Sequence, residues 1–355
     1  MSAFFSAREV WPVRFALLTG VSVLSFVAVA QAQGLPDNTS GTIAAPQTGP
    51  LLESTPNWDV TVTSAGAITG GIIGINNAAT GGTLANGGEI SGSSDGVFEN
   101  MGATGAISNS GIISGGNDGG IVNGGGTITT LTNETGGTIT GALDAGIFNS
   151  SGTIGNLDNS GTISGGPEGI SNDGIISSLT NETGGTISDS DVGISNSGVI
   201  GSIVNNGTIA GPFANIVNAA GGSTVGPVPP GTIGTLINDG TLSGAAFGVL
   251  NQGGVINTLT NNGSVSGSIA GILGIGGSIG TLNNTGTISG GQAAIAAPEG
   301  GLGTIANSGV ISGNIEVANQ NSIIVLGGTG STVGTMTGGH LQHHRYWGKC
   351  RHDYL

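Results

Sequence analysis

One phrase constrains this chain more than anything else in it. Residues 161–184 read GTISGGPEGISNDGIISSLTNETG, and the chain then begins again with GTISDSDVGISNSGVIGSIVNN. A Gly-x-Ile opening, with Leu or Val in the last place at two units, recurs from Gly66 to Gly309. Most steps are 22–26 residues; the longer step, 33 residues, runs from Gly207 to Gly240. That unit contains GGSTVGPVPPG (221–231), a proline-rich insertion between two strands. A fixed period of this length is the mark of stacked identical units.

Three aliphatic columns run through the units. The first passes through Ile139, Ile163 and Ile187 and extends from Ile68 to Ile311. The second runs from Ile75 to Ile295 and the third from Leu84 to Ile305, and no unit interrupts any of them. Gly, Asn and Ser separate the apolar positions, and no window is long enough for an amphipathic helix. Each unit therefore supplies about three short strands. The fold expected is all-β: a single-stranded parallel β-helix of about ten to eleven coils over 66–338, each of roughly 23 residues. Stacking would set each column's members about 4.8 Å apart in a narrow core. One coil cannot bury its aliphatics, but a stack buries them continuously. At roughly 1.5–3 kcal/mol per buried aliphatic side chain, the columns offset the entropy lost by glycine-rich turns.

Asparagine follows the same period. Asn109, Asn133, Asn159, Asn181, Asn205, Asn238 and Asn261 belong to a set from Asn86 to Asn307 that stands two residues after the third column. Another set follows the second column: Asn77, Asn100, Asn123, Asn149, Asn172, Asn196, Asn218 and Asn251, giving way to Gly274 and Ala297. Asparagine tolerates left-handed turn geometry and can bond the like residue one coil away, so both sets are expected to be structural corner ladders.

The residue types exclude much chemistry. No lysine or arginine lies between Arg14 and Arg345, and every histidine, both tyrosines and Cys350 fall in residues 340–355. The repeat body has no means of building a Ser-His-Asp or Cys-His nucleophile, an imidazole base or a His-rich metal centre. A net charge of −15 disfavours nucleic acid or anionic lipid as partners. Acids remain. Asp95, Asp118, Asp144 and Glu168 each stand seven residues after their unit's first glycine, and Asp189 and Asp191 continue the column. Like charges one coil apart repel by only about 1 kcal/mol in water, so a solvated corner tolerates the row. The sharper alternative is a row of carboxylates and carbonyls binding Ca²⁺, although the Gly-Gly-x-Gly-x-Asp nonapeptide is absent. No other cofactor is expected. The Asn-x-Thr/Ser sequons at Asn38, Asn133 and Asn181 carry little weight.

The N-terminus addresses compartment. Arg8 and Arg14 precede FALLTGVSVLSFVAVA (15–30) and then Ala30-Gln31-Ala32, the layout of a secretory signal cut after residue 32. A retained anchor is the alternative, but sixteen residues are short for a membrane span. Residues 33–65 would then form a lead-in or cap. With this signal, the repeated Asn-x-Gly-Thr-Ile-Ser-Gly phrase resembles the passenger region of Gram-negative autotransporters, over residues 66 to about 338. The resemblance implies a surface-displayed β-helix, often an adhesin, carried out by a β-barrel translocator; it supplies no catalytic residues. A separate barrel is expected in the intact gene, since none of the alternating strand pattern it needs follows the repeat.

The tail, HLQHHRYWGKCRHDYL (340–355), is compositionally foreign to the repeat. Reading one base later from Gly339 permits Gly-Ile-Phe-Asn-Thr-Thr-Gly-Ile-Gly, close to GIFNSSGTIG at 146–155, so residues 339–355 are expected to be a frame-shifted end without selected function. Metal binding by its His/Cys cluster is the alternative. The function expected is that of a secreted or surface-displayed, non-catalytic passenger or stalk in adhesion or self-association. Its partners would be a host surface, extracellular matrix, glycan or like molecules, met through loops such as 212–230. A carboxylate-pair glycosidase remains open, needing only two acids in a cleft. So does an ice-binding solenoid, encouraged by Thr138, Thr162, Thr186 and Thr208 but opposed by Thr-x-Thr pairs not being kept.

Overall fold

The computed structural model describes residues 40–221, 230–317, 323–326 and 335–337. The signal segment 1–32 and the tail 339–355 lie outside the described residues. Every element among the described residues is a strand, and all strands pair in parallel with their counterparts one coil away. Thirteen strands stack into one long sheet and twenty-one into a second, so the chain makes about twelve turns. A representative coil runs Thr127–Asn133, Thr138–Gly141 and Ala145–Asn149. Register follows the repeat: Ile139 pairs with Ile163, and Ile163 with Ile187. In later coils the two shorter strands merge, as in Thr241–Gln252 and Ser264–Ile275, with a register shift between Leu242 and Phe247.

The expected columns are the core. Ile139, Ile163, Ile187, Ile147, Leu131 and their stacked equivalents are fully buried and form one continuous cluster. A fourth column, unanticipated in the sequence, joins them: Ile128, Ile154, Ile176, Ile200, Ile233, Ile256, Ile279 and Leu302. Within Thr127–Asn133 both Ile128 and Leu131 are buried, while Thr129 is exposed and Thr130 half-exposed. The pairing register passes from Ile128↔Ile154 to Thr130↔Asn156, so residue 129 is skipped and the strand bends there. That bend brings two residues three apart onto one side, against the usual alternation of strand side chains.

Two expected boundaries shift. The coiling begins before residue 66: Gly41–Ile43 pairs with Trp58–Val62, which in turn pairs with Gly82–Asn86. The described part of the lead-in, from residue 41, is therefore largely solenoid, with Leu51, Trp58 and Val60 in the core. The loop expected over 212–230 is also shorter than its bounds, because Ala214–Ala219 is a strand of the second sheet with Ile216 buried in column. The second column and the ladder position of Asn218 already mark this stretch as strand, so the loop's lower bound conflicts with the repeat itself.

The asparagine sets do form ladders. Each member from Asn86 to Asn284 donates Nδ2 to Oδ1 of the next, at 2.7–2.8 Å, through Asn109, Asn133, Asn159, Asn181, Asn205, Asn238 and Asn261. Each amide also closes its own corner: Asn159 Nδ2 reaches Gly161 O and Thr186 O, both at 3.2 Å. The ladder asparagines are buried, so these bonds satisfy groups that would otherwise be costly. Left-handed geometry has no part in it. Among the described residues the non-glycine positions with positive φ are Asn57 and Met101, outside both ladders. The second ladder also differs at one rung, where register pairs Asn77 with Glu99 and Glu99 with Asn123. Asn100 stands one residue too late to be a rung.

Candidate binding surface

The strands that begin with Thr138, Thr162 and Thr186 turn their Ile toward the core and the residues on either side of it outward. Register then aligns these outward residues from coil to coil. Thr138, Thr162, Thr186, Thr208, Thr241, Ser264 and Thr287 make one hydroxyl row without a break. A second row stands two residues on. It holds Thr69, Ser91, Ser114, Thr140, Ser164 and Ser188, is interrupted at Ala210, and resumes with Ser266, Ser289 and Ser312. Within a row, neighbours lie about 4.8 Å apart, and the rows lie about 6.6 Å apart along each strand. Cross-coil bonding is visible where Ser164 Oγ donates to Thr140 Oγ1 at 3.4 Å. The threonines at 138, 162, 186 and 208 were legible in the sequence as one row. The serine row beside it does not show as a Thr-x-Thr repeat, because the phrase itself is Thr-Ile-Ser.

The expected single column of acids is two rows. Asp95 opens the strand Asp95–Glu99 and pairs with Gly119, whereas Asp118 lies one residue before that partner strand, in the turn. Asp144 likewise precedes Ala145–Asn149, and Glu168 opens its own strand. Counting from the first glycine hides this one-residue offset. The rows differ in solvation. Asp118 is exposed, and the Ser94 hydroxyl bonds its Oδ2. Asp95 is buried, its Oδ1 without a partner, and burial reinforced by the charge of Asp118 pushes its carboxyl up to about 7. The solvated-corner reading therefore fails at Asp95 and holds at Asp118. Burial, then Asp118, also raises Asp144; burial raises Glu168 and Asp191. Asp189 is pushed up to about 8, chiefly by burial and further by Glu168 and Asp191, although the Asp191 amide donates to its Oδ1 at 2.7 Å. No three of the described acids converge into a set able to hold a metal ion.

Asp189 also borders a shallow recess of about 190 Å³ with Ala210, Gly211, Pro212 and Ser243, at the gap in the serine row. It contains one carboxylate, where glycoside hydrolysis needs two facing each other. Beside it, Phe213 and Phe247 meet edge to face at 5.5 Å over an outer apolar cluster of Val192, Val217 and Leu250. The sequons at Asn133 and Asn181 are buried ladder rungs and inaccessible in the folded chain; Asn38 lies outside the described residues.

No protein-family model, curated protein or solved structure matches the chain. Among the described residues no helix is long and apolar enough to cross a membrane, which leaves spanning by strands unaddressed.

Proposed function

We propose that this chain is an exported, non-catalytic β-helical stalk of the autotransporter-passenger kind, acting by adhesion or self-association at the cell surface. The observation that carries the reading is the hydroxyl face: one row in register over seven coils, with a second row beside it that breaks at Ala210 and resumes at Ser266. Each hydroxyl is a weak donor and acceptor alone, and repetition at the coil spacing suits a long partner that presents its own groups periodically. A polysaccharide or a second copy of the chain has that property. Multivalent contact of this sort builds avidity without any single strong site.

The test is bead clumping and retention on immobilised polysaccharides, using the full chain and a Thr162→Lys/Thr186→Lys variant. Both substitutions lie on the outer face and should leave the far-UV spectrum unchanged. The expected result is clumping or retention by the parent chain, lost in the variant. Inert parent beads on every surface, or an undiminished variant, would overturn the reading. The same rows favour a second reading, the ice-binding solenoid, because a neutral hydroxyl array is suited to ordering water. Thermal hysteresis by the parent chain, with inert beads, would select it.

A further inference from the structure

The second asparagine ladder has a fault at one rung. From Asn123 onward each amide donates to the next: Asn123 to Asn149 at 2.9 Å, Asn149 to Asn172 at 2.7 Å, and so on to Asn251. On the other side, Asn77 Nδ2 donates to Glu99 Oε2 at 2.8 Å. Between them stands Glu99, fully buried, which as a carboxylate has no proton to pass on. The consequence appears on the next rung, where Asn123 Oδ1 is buried with no partner.

The surroundings of Glu99 are built for a carboxyl group. Thr104 occupies the place in the fourth column that Ile128 and Ile154 fill in later coils, and its hydroxyl donates to Glu99 Oε1 at 2.6 Å. Asn77 Nδ2 also reaches Thr104 Oγ1 at 3.0 Å, and its own Oδ1 accepts from the Trp58 indole at 3.0 Å. Glu99, Thr104, Asn77 and Trp58 are all buried. No cation lies between Arg14 and Arg345. Of the strands packed on Asp95–Glu99, Ile73–Asn77, Gly119–Asn123 and Ile112–Gly115 bear no acid, and Glu89 on Glu89–Gly92 is exposed. Asp118 precedes Gly119, Asp95 lies at the far end of the same strand, and Glu53 stands two rungs away through Asn77. Nothing there compensates a buried negative charge.

We propose that Glu99 is carried as the neutral acid and donates its hydrogen to Asn123 Oδ1, completing the ladder, and that loss of this proton loosens the solenoid between Asp95–Glu99 and Gly119–Asn123. Burial pushes the Glu99 carboxyl up to about 7, against the opposing bonds from Thr104 and Asn77. The raised value sets the sign: the added stability is complete below the unfolded value of 4.5 and is lost as pH rises through about 7. Alkalinity therefore opens this joint and acidity closes it.

The full chain with Trp11→Phe and Trp347→Phe leaves Trp58 as its sole indole, one bond from the cluster. Its emission should titrate with a midpoint near 7. Amide protection in 95–99 and 119–123 should fall about thirty-fold between about pH 5.5 and 8.5, measured against Val255–Asn261 as internal control. Because Asp95 on the same strand is also pushed up to about 7, the measurements use an Asp95→Asn background. There both effects should persist, and adding Glu99→Gln, neutral and able to donate from its amide to Asn123, should remove them. Thr104→Val takes away a bond that favours the ionised form and should move the midpoint upward. A flat Trp58 titration overturns the proposal. So does persistence of the effects in Asp95→Asn/Glu99→Gln, their absence in Asp95→Asn alone, or an unmoved midpoint in Thr104→Val.

Discussion

At the scale of the residue, burial separates positions that look equally regular in sequence. Ile163 is fully buried between Ile139 and Ile187, so Ile163→Asp places a charge in a core without any cation to meet it. The cost should be several kcal/mol, enough to abolish the cooperative urea transition followed by circular dichroism. Asp144→Ala should be neutral or slightly stabilising, because burial and the neighbouring charge of Asp118 both work against the Asp144 carboxylate. A melting temperature lowered by that change only when calcium is present would instead favour metal binding. The aliphatic columns could be read from the sequence because every unit repeats them without interruption. Asp95 could not, since a one-residue offset between turn and strand start decides whether a carboxyl is wet or buried. Glu99 was hidden by the same offset, with Asn100 standing beside it.

At the scale of the element, corners hold the strands in place. Asn159 accepts from Asn133 and gives its own amide to Asn181, Gly161 and Thr186. Asn159→Ala strands these buried partners, each at about 1–3 kcal/mol. Asn159→Asp should be worse at neutral pH and partly recover in acid, a contrast readable from urea midpoints at two pH values. The glycine after the rung has a steric task. A Cβ on Gly161 would fall 2.3 Å from the Gly137 carbonyl oxygen, so Gly161→Ala must push neighbouring backbones apart. At Gly184, φ is +88° and the space is open, so Gly184→Ala should cost only about 1–2 kcal/mol of left-handed strain. Gly161→Ala should exceed it in the same urea measurement. Strand number and ladder partners were legible because stacking turns a period into a register. The fourth column was not, because Ile128 and Leu131 are three apart and only a bend at Thr129 makes both face inward.

At the scale of the whole molecule, stability approximates a sum over neighbouring coils, so a term repeated or uncompensated along the stack accumulates. Charge is such a term here. With no lysine or arginine between Arg14 and Arg345, the acids have no ion pairs to form with either cation. Burial, joined at Asp95 and Asp189 by neighbouring acids, acts on several of them uncompensated by any positive charge. Asp95 and Glu99 are pushed up to about 7 and Asp189 to about 8, from ordinary values of 3.8, 4.5 and 3.8. Each binds its proton more tightly folded than unfolded. Their contribution is therefore complete below about pH 4 and falls as pH rises through 7 to 8. The fall is up to about 1.4 kcal/mol per pH unit for Asp95 and Glu99, and less for the half-exposed Asp189, whose charge solvent screens. This is the reverse of a protein whose carboxylates are salt-bridged and which acid unfolds. Self-repulsion adds to the trend at neutral pH and is screened by salt. The urea midpoint should accordingly decline from pH 5 to pH 8, and added salt should narrow the difference. Replacing Asp95, Glu99 and Asp189 by their amides should flatten the profile further than salt does, because buried groups are screened least. A midpoint that instead rose from pH 5 to pH 8 would mean these carboxyls are ionised and satisfied in the folded chain, and the burial assigned to them would be wrong.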